Sequence, residues 1–140
     1  MIRYEIDTTE NGYDSLSGEV NHSDDLRALL FPKGNFVDCV GYIRTDTAPD
    51  ISLCIAALKE HGVFLGCEKD SIEYLSLGNA DLLAEVADVW GDGLDVSIGL
   101  FIPEELAWQG IQIFAESGSL YDGIDWITSE QIPEGGNYII

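Results

Sequence analysis

From residue 70 onward the 140-residue chain carries 14 Asp and Glu side chains and no Lys or Arg. All six basic residues lie in residues 1–69 beside 12 acidic ones, so the two halves have net charges of −6 and −14. A fold must keep the second half's carboxylates in contact with water, because an unpartnered buried charge is very costly. It can neutralise them only with cations from the first half or from another molecule. The total of −20 opposes binding to nucleic acid and to anionic membranes, and it accelerates encounter with basic partners. Phosphate contacts draw on Lys and Arg, and six scattered basic residues build no patch.

This charge does not imply disorder. Hydrophobic residues make up 46% of the chain, with three Trp, five Phe and six Tyr, whereas disordered chains are poor in such residues. The length suits one compact domain, residues 1–140, and no linker, repeat or low-complexity tract divides it. Met1 is followed at once by Arg3, Glu5 and Asp7, so no leader is expected. No apolar run is long enough to span a membrane. Cys39, Cys54 and Cys67 are odd in number and sit in apolar surroundings, as expected of reduced, buried thiols in a cytoplasmic protein.

Within the acidic half, Asn79 to Gly91 (NADLLAEVADVWG) reads as a helix. Asn79 is placed to cap its start and Gly91 to end it. Leu82, Val86 and Val89 form an apolar stripe, and Asp81, Glu85 and Asp88 recur on another face, with Asp92 just beyond. Each like-charge pair at this spacing costs about 0.2–0.5 kcal/mol, and Asp88 would sit where the helix dipole disfavours an anion.

Elsewhere the patterns alternate between strand and helix. Residues 2–7 read as a strand and residues 8–23 as a loop or loose hairpin. Ser23 caps a short helix (DDLRALLF), and residues 35–44 read as a strand. Residues 47–62 predict a helix: TAPD resembles a capping box, Ile51, Cys54, Ile55 and Leu58 form a stripe, and Gly62 is a stop. Two strands, Val63 to Cys67 and Ile72 to Leu77, flank a turn at residues 68–71. Gly91 to Gly93 suits a tight turn and Leu94 to Ile102 a long strand. A helical turn at 103–108 is closed by Gly110, followed by strands at 111–115 and 124–128. The tail Tyr138-Ile139-Ile140 is suited to an edge strand or to docking in the core. The sum is an α+β fold, a mostly antiparallel sheet of five to seven strands with two or three helices packed on it.

Chemistry is sparse. Asp88, Asp92 and Asp95 surround a Gly-Asp-Gly turn, but their spacing does not match a calcium loop. His22 and His61 lie far apart in sequence, and no Cys pair has zinc spacing. No nucleophile elbow, phosphate loop or dinucleotide fingerprint is present. No catalytic residue, metal or cofactor is expected, and a cation-binding or enzymatic domain is the alternative. An acidic scaffold without a basic partner is a further one.

In size, charge and the 81–92 acidic face, the chain resembles the bacterial immunity proteins that neutralise nuclease toxins, including those of contact-dependent inhibition and other polymorphic toxin systems. The resemblance implies an inhibitor that occludes a basic cleft with an acidic face and an aromatic anchor. The residues it singles out are Asp81, Glu85, Asp88, Asp92 and Asp95, extended by Glu104 and Glu105, with Trp90 or Trp108 as the anchor. The partner would be a basic toxin domain, with neither nucleic acid nor membrane bound.

Overall fold

The computed structural model describes residues 1–8, 14–89 and 93–140, so Trp90, Asp92 and most of the expected 91–93 turn lie outside the described residues. Its framework is a seven-stranded antiparallel sheet. The strands are β1 (Ile2–Thr8), β2 (Asp14–Val20), β3 (Cys39–Thr45), β4 (Ala48–Leu58), β5 (Gly62–Lys69), β6 (Ile72–Ser76) and, after a two-stranded hairpin of β7 (Val86–Asp88) and β8 (Asp95–Ser97), β9 (Trp126–Thr128). The order in the large sheet is β2-β1-β3-β4-β5-β6-β9. The helices are α1 (Ser23–Leu30) and α2 (Glu104–Ser117). The expected α+β class, with two α-helices packed on an antiparallel sheet, is the class observed.

The pleat sorts side chains between two cores. On one face, Ile2 and Ile6 of β1, Ile43 of β3, Leu53 and Ile55 of β4 and Leu65 of β5 pack beneath α1 and α2. On the other face, Ala56, Phe64, Leu75 and Ile127 pack beneath residues of the 83–101 segment, with Tyr138 and Ile139 of the tail against them. The chain passes between the two layers beside β5, where Ile102 and Val63 exchange backbone hydrogen bonds of 2.8 and 2.9 Å.

The segment at 47–62 is not a helix. It supplies β4, the central 11-residue strand, paired with β3 and β5. Ile51, Cys54, Ile55 and Leu58 are apolar at helical spacing only because β4 meets apolar partners on both faces. A continuous apolar run looks alike in a buried strand and a buried helix.

Residues 79–89 do not form a helix either. Asn79 caps, as expected, by accepting a hydrogen bond from the Asp81 amide at 3.0 Å. The helical turn it starts is a single 3-10 turn, Ala80–Leu82, and the chain then extends into β7. The amides of Gly78 and Asn79 both donate to the Gly99 carbonyl, at 2.8 and 2.9 Å, and the Ile98 amide donates to Glu85. A Cβ on Gly99 would lie 2.2 Å from the Asn79 carbonyl oxygen. This close pairing with the 95–100 segment outweighs helix propensity, which is worth tenths of a kcal/mol per residue.

The expected strand at Leu94 to Ile102 is regular only over β8, after which Ile98–Leu100 tightens into a 3-10 turn. The expected break at Gly110 and the strand after it are absent, because α2 runs through both. Gly110 marks a close approach instead: a Cβ there would stand 2.6 Å from Ile124 Cδ1 and 3.0 Å from Leu65 Cδ1. The helix ends at Gly118, whose φ of 72° and 2.7 Å bond to the Phe114 carbonyl form a left-handed cap. Ser23 is the first residue of α1 rather than its cap, and the preceding His22 makes no capping bond. The tail docks on the second core.

Candidate functional site

The acidic candidates separate into two groups. Asp81 is on the 3-10 turn, Glu85 just before β7, Asp88 at the end of β7 and Asp95 at the start of β8. Asp81, Glu85 and Asp88 are exposed and Asp95 is half-buried. They belong to the layer that covers the second core, and they do not share a helix face. Asp88 and Asp95 are instead direct cross-strand partners. The Asp88 carboxylate also accepts the Gly93 amide at 2.9 Å. Val86 stands 39% exposed between these acids.

Glu104 and Glu105 occupy the first turn of α2, which packs on the opposite face of the sheet. They therefore do not extend the patch around Asp81 and Asp88. Acidic residues suit a helix N-terminus, and Glu105 also receives Arg27 of α1 at 2.9 Å. This ion pair joins a cation of the first half to an acid of the second.

Trp108 is not a surface anchor. It is 6% exposed, its ring meets Phe31 edge-on at 6.2 Å, and the Arg27 guanidinium lies 5.2 Å from its centroid. An apolar stripe on α2 draws it into the helix–sheet core.

A second region was not foreseen. Past the edge of the cover layer, the sheet face carrying Val40, Tyr42, Arg44, Ser52 and Cys54 lies open. Together with Leu94 and the tail it bounds a groove of about 540 Å3. Tyr42 donates its hydroxyl to Glu5 of β1, and that carboxylate raises the phenol above its ordinary pKa. Arg44 stacks at 5.2 Å on the Tyr42 ring and donates from Nε to Ser52 Oγ at 2.7 Å. The alternation of residues 39–45 was the available sequence signal, but it says nothing of which neighbours leave the face uncovered.

The thiols are chemically quiet. Burial pushes Cys39 and Cys54 up to about 12 and Cys67 to about 11, and all three are free. A nucleophilic cysteine needs the opposite shift. Among the described residues, no group of three or more His, Cys, Asp or Glu is disposed to hold a metal ion, and no helix is long and apolar enough to cross a membrane. Comparison with protein families, curated proteins and solved structures finds no match.

Proposed function

We propose that this chain is an acidic inhibitory binding protein of the toxin-immunity kind, which neutralises a basic, nuclease-type partner by occluding its cationic cleft. The observation that carries the reading is the make-up of the cover layer. Asp81, Glu85 and Asp88 are exposed on it, Asp88 is set against Asp95, and residues 70–140 hold no Lys or Arg. Like charges directly opposite on a hairpin are destabilising, and a cationic cleft laid over them converts that repulsion into attraction. With Trp108 buried, Val86 is the apolar contact at the centre of this surface. Glu105 already holds Arg27, so the interface is assigned to Asp81, Glu85, Asp88 and Asp95.

The test is the association rate of the protein, and of its Glu85→Gln/Asp88→Asn variant, with a cognate basic nuclease domain over a salt series. The variant should associate about tenfold more slowly and lose salt dependence, as expected where charge steers encounter. An unchanged rate and slope would reject the surface. Failure of the parent protein to inhibit a panel of basic nuclease domains would reject the function.

A further inference from the structure

The groove beside the cover layer combines features of a contact site for a protein segment. Val40 and Cys54, both half-buried, line its sheet side. Ile139 and Ile140 form a wall, with Ile140 49% exposed. A Cβ on Gly66 would meet Ile140 Cγ1 at 3.1 Å, so the glycine lets this wall sit close against the sheet. Asp50 and Glu68, both exposed, supply negative charge around the same opening.

Arg44 is the third component. Its Nε is bonded to Ser52 and its guanidinium is stacked on Tyr42, yet its terminal nitrogens enter no ion pair among the described residues of a chain of charge −20. Arg3 and Arg27, by contrast, each hold a carboxylate. The Arg44 fork is thus pre-positioned with donors to spare, which lowers the entropy cost of using it.

We infer that this groove binds an amphipathic cationic segment of a partner protein. An apolar side chain of the segment packs against Val40 and Ile140, a neighbouring Lys or Arg faces Asp50 and Glu68, and Arg44 donates to a backbone carbonyl. A segment lying across a sheet face brings its own flanking contacts. None of these contacts draws on the carboxylates of the 81–95 surface.

The experiment uses the full 15N-labelled chain, titrated with the peptide acetyl-Gly-Lys-Trp-Lys-Gly-amide and followed by amide chemical shifts. Two control peptides replace the Trp by Gly or both Lys by Glu. The Trp–Lys peptide should move the amides of Val40, Cys54, Gly66 and Ile139, with an affinity about tenfold above the Gly control, as burial of an apolar side chain supplies. Asp50→Asn with Glu68→Gln alters two exposed side chains and should weaken binding about fivefold. Glu85→Gln with Asp88→Asn should leave it unchanged. No binding, equal binding of the Gly control, indifference to Asp50→Asn/Glu68→Gln, or shifts confined to residues 80–97 would each overturn the inference. The last of these outcomes would leave the acidic surface intact as a binding site, so the two readings fail separately.

Discussion

Asp88 and Asp95 are direct cross-strand partners in the β7–β8 hairpin, two acidic residues in opposed positions. Asp88 has a structural task in accepting the Gly93 amide. Asp95 contributes through its backbone, whose carbonyl receives the Asn137 side chain at 3.0 Å. The charge on Asp95 can therefore be removed without breaking either bond. Asp95→Asn should raise stability in low salt by about 0.2–1 kcal/mol. In ~1 M salt, where the screening length falls to about 3 Å, the gain should shrink. Urea unfolding at both salt levels measures this, and a less stable variant at low salt would contradict the account.

Gly110→Ala sets two known effects against each other. Alanine inside a helix gains about 1 kcal/mol over glycine. The added methyl would press on Ile124 and Leu65, both buried, and overpacking costs about 1–3 kcal/mol. The expected result is a net loss of about 1 kcal/mol, seen as a lower urea midpoint with an unchanged slope. A stabilised Gly110→Ala protein would mean that the α2–sheet contact yields more easily than its spacing implies.

Two buried serines fasten the cover layer. Ser76 donates to the Leu100 carbonyl at 2.7 Å and accepts the Leu65 amide at 3.0 Å. Ser97 donates to the Leu83 carbonyl at 2.7 Å and accepts the Asn137 amide at 2.9 Å. Ser97→Ala strands both partners of the second bolt, at a cost of about 1–3 kcal/mol. Hydrogen exchange at Asn137 should accelerate beyond the global change, because the tail loses a local anchor. Exchange that speeds up uniformly would show that the tail is held elsewhere.

The thiols couple stability to alkaline pH. An unfolded thiol ionises near 9.0, and burial holds the folded Cys54 thiol neutral to about 12. Between these values the unfolded state has lost a proton that the native state keeps, so native stability falls as pH rises. The contribution is complete below pH 9 and is lost progressively toward pH 12. Unfolding measured at about pH 8 and about pH 10 should show a smaller loss in Cys54→Ala than in the parent protein. An identical loss would remove Cys54 from the account.

Legibility followed alternation and nearby turn signals, since β5 could be read beside its turn although both its faces are covered. The strands at 2–7, 63–67 and 72–77 could be read because they alternate or flank a turn, and Asp70 and Ser71 do adopt the left-handed values of a tight hairpin, with φ of 54° and 66°. Strand β4 could not be, because apolar residues on both faces erase the period of two. The segment beginning at Asn79 misled for the reverse reason: its residues favour a helix, but tertiary hydrogen bonds to Gly99 and Ile98 claim the backbone of Asn79 and Glu85. Gly110 reads as a stop in a single sequence, since a glycine needed for close packing looks the same as one needed for a cap. The acidity of the candidate surface was visible from residue counts alone. Its division between the cover layer and α2 was not, because that depends on where the chain crosses the sheet at Ile102.

The strand order has a consequence for synthesis. Six of the seven sheet strands lie within residues 2–76, each beside a near neighbour in sequence, and only β9 returns from residues 126–128. Synthesis runs from the N-terminus at about 5–20 residues per second, so the strands of most of the sheet leave the ribosome before the cover of its second face. In that interval Phe64 and Leu75 lie bare, and a bare sheet invites a neighbouring nascent chain. The half of the chain that emerges last carries a charge of −14. Until that half is made, two emerging chains repel only through the −6 of residues 1–69, and the larger repulsion arrives with the segment that folds down over the bare face.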